Sequence, residues 1–239
     1  MGIDMVDWDS DEPNQLRGHD STQSTMMEEV VIQVDELDNR VRGRTKLEAH
    51  YGAGFLHRAF SVLVFDSDDR ILLQKRSSDK ITFPGVWANS CCSHPLDVES
   101  ERDGFQGTIT AAIRKMEQEL GVEPSTLKAE DFTPASRMLY WSRSDDEWLE
   151  KELDHLLILR KDIICKPNPN EIEELRWLNR EEFSEFMNSF SSTTTDSTTS
   201  DERVIAPWFK LIVDNLLDDW WNDLDSVTDD GKIHCFGRL

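Results

Sequence analysis

The sequence predicts a mixed α and β fold: a mixed β-sheet sandwiched between helices, with an additional helix at the C-terminus. Three observations predict it. Short β-branched runs bounded by Asp, Asn and Ser turns read as strands. Thr108 to Leu120 carries apolar residues at a helical period. Further strand-like runs then precede two more helical stretches, so neither type is confined to one half of the chain.

In chain order, Met1 to Met27 are rich in Asp, Ser, Asn and Gln and lack a hydrophobic period, which predicts a disordered acidic extension over residues 1–27. A single domain is expected from there on, over residues 28–239. It opens with EVVIQVDELDNRV, a β-branched run followed by Asp and Asn turn chemistry. Ala59 to Phe65 and Ile71 to Lys75 read as strands of a hairpin joined by DSDDR. The helix of Thr108 to Leu120 places Ile109, Ala112, Ile113, Met116 and Leu120 on its apolar side, and Gly121 supplies the stop. Met138 to Trp141, Leu153 to Leu159 and Leu175 to Leu178 add strands, and Arg180 to Phe190 a helix with Glu in its first turn. Residues 191–203, a Ser/Thr-rich low-complexity run, predict an exposed loop insertion. Pro207 to Trp221 starts with Pro and has an apolar face, the pattern of a terminal helix packed on the domain.

With 239 residues and 38% hydrophobic content, the chain can bury one sizeable core. A formal charge of −22 and the lack of a basic stripe argue against nucleic acid. No apolar run approaches membrane-spanning length, and MGIDMVDWDSDE lacks the features of a secretory signal. A soluble cytoplasmic protein is expected, most simply a monomer; the ending GRL only loosely resembles a peroxisomal address. Four cysteines, two of them adjacent, form no disulfide framework, so reduced thiols are expected.

The chemistry concentrates in three segments: HRAFSVLVF (His57 to Phe65), ITFPGVWANSCCSHP (Ile81 to Pro95) and EKELDH (Glu150 to His155). The second places the thiol of Cys92 two positions before the imidazole of His94. In the third, a strand's period of two points Glu150 and Glu152 to one face. His50 and His57 flank a glycine-containing loop, HYGAGFLH. Singly, such residues are ordinary surface or core positions. Together, three imidazoles and two carboxylates can supply five ligands to one divalent ion, a nitrogen and oxygen set that suits Mn or Zn better than Mg or Ca.

In this order and spacing the segments resemble type I isopentenyl diphosphate isomerase, a metal-dependent member of the Nudix fold, from about Val30 to the C-terminus. The resemblance implies interconversion of isopentenyl and dimethylallyl diphosphate, with a small diphosphate substrate and no redox cofactor. It implies Cys92 and Glu152 as the catalytic pair and Tyr140 as hydrogen-bond partner of the acid. Trp208, in APWFK, would be the aromatic wall facing a carbocation-like state, with Trp87 a further candidate. Lys46, Arg76, Lys80 and Lys115 would contact the phosphates. The implied metal ligands are His50, His57, His94, Glu150 and Glu152, and Glu119 would help hold a Mg ion bridging the diphosphate.

There are departures. Position 115 carries Lys where several relatives have Arg, WLEKE stands where many read WGEHE, and His155 replaces an aromatic residue, for which ordinary packing is the expectation. A hydrolytic Nudix enzyme would need carboxylates at Lys115 and Gln118 of RKMEQELG, so ligands that would generate hydroxide are missing. A catalytically silent Nudix domain acting as a binding module is the other alternative; the retained acid, base and ligand residues argue against it.

Overall fold

The computed structural model describes residues 14–191 and 205–238. The predicted Ser/Thr-rich insertion lies almost wholly outside the described residues, as do residues 1–13 of the predicted extension.

The remainder of that extension departs from expectation. Residues 14–27 form a 3-10 turn, Asn14–Leu16, and a helix α1, Ser21–Met26. The Asp20 carboxylate caps α1 by accepting from the amides of Thr22 and Gln23. Leu16 and Met27 are buried in a small cluster with Ile81 and Trp148. Order here comes from tertiary burial of a few isolated apolar residues, which leaves no period to read in the sequence.

A hairpin of β1, Val30–Val34, and β2, Arg40–Thr45, leads into the short helix α2, Lys46–His50. Strands β3, His57–Phe65, and β4, Ile71–Arg76, follow, matching the expected second hairpin. Two short strands, β5 (Trp87–Ala88) and β6 (Cys91–Ser93), precede helix α3, Gly104–Leu120. Helix α3 ends where Gly121 turns left-handed at φ 64°; a Cβ there would lie 2.1 Å from the Lys166 carbonyl, so glycine is required. Long strands β7, Phe132–Arg143, and β8, Leu149–Arg160, then β9, Ile172–Leu178, complete the middle of the chain. Helix α4, Arg180–Ser191, is followed beyond the undescribed residues by α5, Pro207–Ile212, a π-turned stretch, Val213–Leu217, and α6, Asp218–Asn222. These last three run on as the expected terminal helix. A final strand, β10, Ile233–Arg238, was not anticipated from the sequence; it pairs parallel with β7.

The sheet runs β10-β7-β8-β3-β1-β2, with β4 and β6 also pairing β3, and β4 joined by β5 and β9. Strand β3 lies at its centre and all nine of its residues are buried, as a strand covered on both faces requires. Phe60, Val62 and Val64 face Ile109, Ala112 and Met116 of α3. Leu63 and Phe65 of β3, with Leu156 and Ile158 of β8, pack on the other face against Phe183, Phe209 and Trp221 of α4, α5 and α6. The sheet is thus sandwiched between helices as predicted. No helix of the described residues is long and apolar enough to cross a membrane.

Candidate active site

Strand register gathers the chemical groups. The parallel pairing of β3 with β8 sets His57 beside Glu152, and the antiparallel pairing of β7 with β8 sets Tyr140 on Glu152's other side. Strand β6 brings Cys92 opposite Ser61 of β3, and His94 follows directly. His50 is the last residue of α2, a helix held at its start by reciprocal bonds between Thr45 and Glu48.

The possible ligand atoms of His50, His57, His94, Glu150 and Glu152 lie within 4.8 Å of one another, and all five residues are buried. The Nδ1 atoms of His50 and His57 face the carbonyls of Lys46 and Phe55 at 2.7 and 2.9 Å. A carbonyl only accepts, so each Nδ1 carries a hydrogen and each Nε2 is turned toward the carboxylates. The His50 Nε2 lies 2.7 Å from Glu150 Oε2, and that of His57 3.7 Å from Glu152 Oε1. His57 Nε2 and His94 Nδ1 are buried without a hydrogen-bond partner among the described residues. Burial, then the neighbouring His57 and His50, hold His94 well below the ordinary imidazole range, which opposes relief by its protonation. Converging lone pairs and carboxylate oxygens repel unless a cation lies among them, so this donor set fits a divalent metal.

A cleft opens beside the cluster. Cys92, Tyr140, Trp208, Glu150 and Glu152 line it together with Lys46, Arg76 and Lys80, and Gln23, Met26, Met27 and Ile81 contribute further wall. Burial pushes the Cys92 thiol up to about 12, opposed by the Arg76 guanidinium, so the sulfur holds its proton near neutral pH. The Tyr140 hydroxyl donates to Glu152 Oε2. Burial and the charges of Glu152 and Glu150 keep Tyr140 far above its usual range, so it remains a donor. Arg76 donates to the carbonyls of Phe83 and Thr82 and stands 5.6 Å from the Trp208 ring centroid. The Lys46 ammonium is lowered to about 8 by burial and by the like charges of Lys80 and Lys115.

The structure therefore brings eleven of the thirteen sequence-predicted residues to the cleft or the adjoining cluster. Lys115 and Glu119 are the exceptions. The Lys115 Nζ is 3.1 Å from both Glu119 Oε1 and Gln118 Oε1, and neither Lys115 nor Glu119 lines the cleft. Glu119 lies outside the five-residue ligand cluster and also faces the Cys91 thiol. A metal-ligand role for Glu119 and a phosphate contact for Lys115 thus lack direct geometric support: adjacent turns of one buried helix satisfy each charge with the other. Trp87 packs against Phe186 and Arg176 instead of lining the cleft. His155 hydrogen-bonds Asp38 and Thr108, the packing role expected of it. Sequence reasoning missed Gln23, Met26 and Met27, which sit in the segment read as disordered. It also passed over Asn89, inside the segment ITFPGVWANSCCSHP, whose amide anchors Trp208.

Comparison with known proteins agrees with this geometry. Residues 55–197 match the NUDIX domain family. The chain is 40% identical over 219 residues to isopentenyl-diphosphate Delta-isomerase II of Clarkia breweri, covering 88% of this chain and 74% of that one. It is 41% identical to isopentenyl-diphosphate Delta-isomerase I, chloroplastic, of Arabidopsis thaliana, covering 88% and 73%. Against isopentenyl-diphosphate Delta-isomerase 1 of Mesocricetus auratus the identity is 38%, covering 90% and 95%. Among solved structures, DR0079 from Deinococcus radiodurans shares the fold with TM-score 0.53 at 18% identity, covering 78% of this chain and 98% of that one. The chain belongs to the NUDIX domain family and, within it, to the isopentenyl-diphosphate Delta-isomerases.

Proposed function

We propose that this protein interconverts isopentenyl diphosphate and dimethylallyl diphosphate, supplying the allylic starter of isoprenoid synthesis. The observation that carries the reading is the make-up of one cleft, whose wall holds acid and base groups, an aromatic ring and three cations together. Moving the double bond inward requires a proton added to the terminal carbon and another removed from the allylic methylene, with no net change in protons or electrons. An alkene is a very weak base, so the acid must be positioned in a site sheltered from water.

In this reading Cys92 and Glu152 are the two proton-exchanging groups, and Tyr140 holds the Glu152 carboxylate in place. The indole face of Trp208 stabilises the developing tertiary cation, an effect worth up to about 2 kcal/mol in a desolvated site. Lys46, Arg76 and Lys80 grip the diphosphate, which explains how a chain of charge −22 receives an anion: distant charges are screened beyond about 8 Å at physiological salt, and the local field is positive. His50, His57, His94, Glu150 and Glu152 would hold Mn or Zn, with Mg accompanying the diphosphate. When bound, the metal would supply positive charge that orders these side chains and tunes the acidity of Glu152.

Incubation with isopentenyl diphosphate, Mg and Mn or Zn should yield dimethylallyl diphosphate. Cys92→Ser and Glu152→Gln should each lower turnover by at least about 100-fold with the fold retained. Release of inorganic phosphate in place of the allylic product would favour a hydrolase, and no turnover at all a binding module. Near-normal turnover in either variant would remove that residue from its role.

A further inference from the structure

Glu171 is a buried carboxylate in the turn before β9, 2% exposed, and the reaction above assigns it nothing. Its two oxygens serve different parts of the cleft wall. Oε2 lies 2.6 Å from the Lys80 ammonium, and Oε1 accepts from the Gln23 side-chain amide at 3.0 Å. Gln23 belongs to α1, Lys80 to the loop after β4, and both line the cleft. The same amide nitrogen also reaches the backbone and side-chain oxygens of Asn170, at 3.1 and 2.8 Å. Asn170 in turn donates to Asp20, the cap of α1.

The main chain fixes the carboxylate from behind: the Glu171 amide donates to Asn168 and its carbonyl accepts from Ser77, three residues before Lys80. A carboxylate is planar and rigid, so with one oxygen held by Lys80 the direction of the other is set. Seating of α1 and placement of the Lys80 ammonium therefore share one mechanical element. An ammonium has three donors, and Glu171 takes one, leaving two to face the cleft.

We infer that Glu171 is a positioning residue that fixes Lys80 for the substrate's diphosphate and couples that placement to the seating of α1 through Gln23. The inference rests on the isomerase reading only in naming the anion; the coupling is a property of the cleft wall.

The test is a double-mutant cycle read by binding of inorganic pyrophosphate with Mg to the full chain, using Gln23→Ala, Lys80→Met and both together. Each single substitution should weaken binding, and the double should be no more than about twofold weaker than Lys80→Met alone, since removing the ammonium frees the carboxylate that Gln23 steers. Effects that multiply would overturn the coupling. Independently, Glu171→Gln should raise both the pyrophosphate Kd and KM about tenfold, with a smaller change in kcat, and should speed amide hydrogen exchange over Ser21–Met26. Wild-type exchange together with wild-type affinity in that variant would also overturn it. Should Glu171→Gln fail to fold, the cycle decides alone. If the protein proves not to isomerise isopentenyl diphosphate, the pyrophosphate and exchange readouts still report, so failure of the two readings can be told apart.

Discussion

The indole N–H of Trp208 donates to Asn89 Oδ1 at 3.0 Å, and the same Asn89 side chain donates to the carbonyls of Val62 and Cys91. One amide thus links the aromatic wall to the central strand and to the residue next to Cys92. Asn89 is fully buried, and its replacement by Ala would take the acceptor from the indole N–H and one donor from each of two carbonyls. We expect Asn89→Ala to destabilise the fold by about 1–3 kcal/mol and to lower kcat about tenfold, because the ring loses its fixed angle to the substrate. Thermal unfolding and steady-state kinetics check the two parts. Normal kcat in a destabilised variant would confine Asn89 to a structural role.

Tyr140 stands opposite Glu152 in the β7–β8 ladder and gives its hydroxyl hydrogen to the carboxylate. Tyr140→Phe keeps the ring and its packing while removing that one bond. Turnover should fall about 10- to 100-fold. The cost in stability should be only about 1 kcal/mol, since the lost partner is one of several around Glu152. Unfolding midpoint and kcat measured together distinguish this from general loosening; an unaltered kcat would sink it.

Legibility in the sequence followed the range of the interaction. The period of two fixed Glu150 and Glu152 on one face without knowledge of their neighbours, and the helical period fixed α3. The resemblance supplied the matching of His50, His57 and His94 to these carboxylates, and β3–β8 register explains it for His57. What stayed hidden depends on contacts distant in sequence. Met26 and Met27 look like chance apolar residues in an acidic stretch until Ile81 and Trp148 are seen beside Met27. Glu171 reads as a loop carboxylate until Lys80 is found 91 residues away. Lys115 and Glu119 rest on the resemblance, which implies a phosphate contact for the first and a Mg ligand for the second; in the structure their i,i+4 spacing on α3 pairs them with each other.

Metal removal should act on stability as well as rate. His57 Nε2 and His94 Nδ1 are buried without a hydrogen-bond partner among the described residues, so an empty cluster is a destabilised one. Purified protein should contain about one transition metal per chain, and dialysis against a strong chelator should lower the melting temperature by several degrees as linked binding energy is lost. His57→Ala should lower metal content and turnover at least tenfold and make the melting temperature insensitive to chelator. Full metal content in His57→Ala would remove it from the ligand set, and an unchanged melting temperature after metal loss would end the argument from orphaned atoms.

Glu171 also sets a pH dependence of stability. Burial alone would raise the pKa of Glu171, but Lys80, Lys115 and Lys46 outweigh it and lower the carboxyl from 4.5 to about 2. A group depressed on folding stabilises above its unfolded value and loses that contribution as pH falls toward the folded one. At about 1.36 kcal/mol per pH unit, the contribution near neutrality is on the order of 3 kcal/mol as an upper bound. Glu171→Gln cannot titrate, so the gap in unfolding free energy between wild type and variant should be widest above pH 5 and shrink steadily toward pH 3. Protonation of the histidines and of the other carboxylates occurs in both proteins and largely cancels in the difference. Urea unfolding of metal-free protein at half-unit pH steps reads the gap directly; a gap that stays constant, or widens in acid, would mean that the lysines do not hold Glu171 ionised in the folded chain.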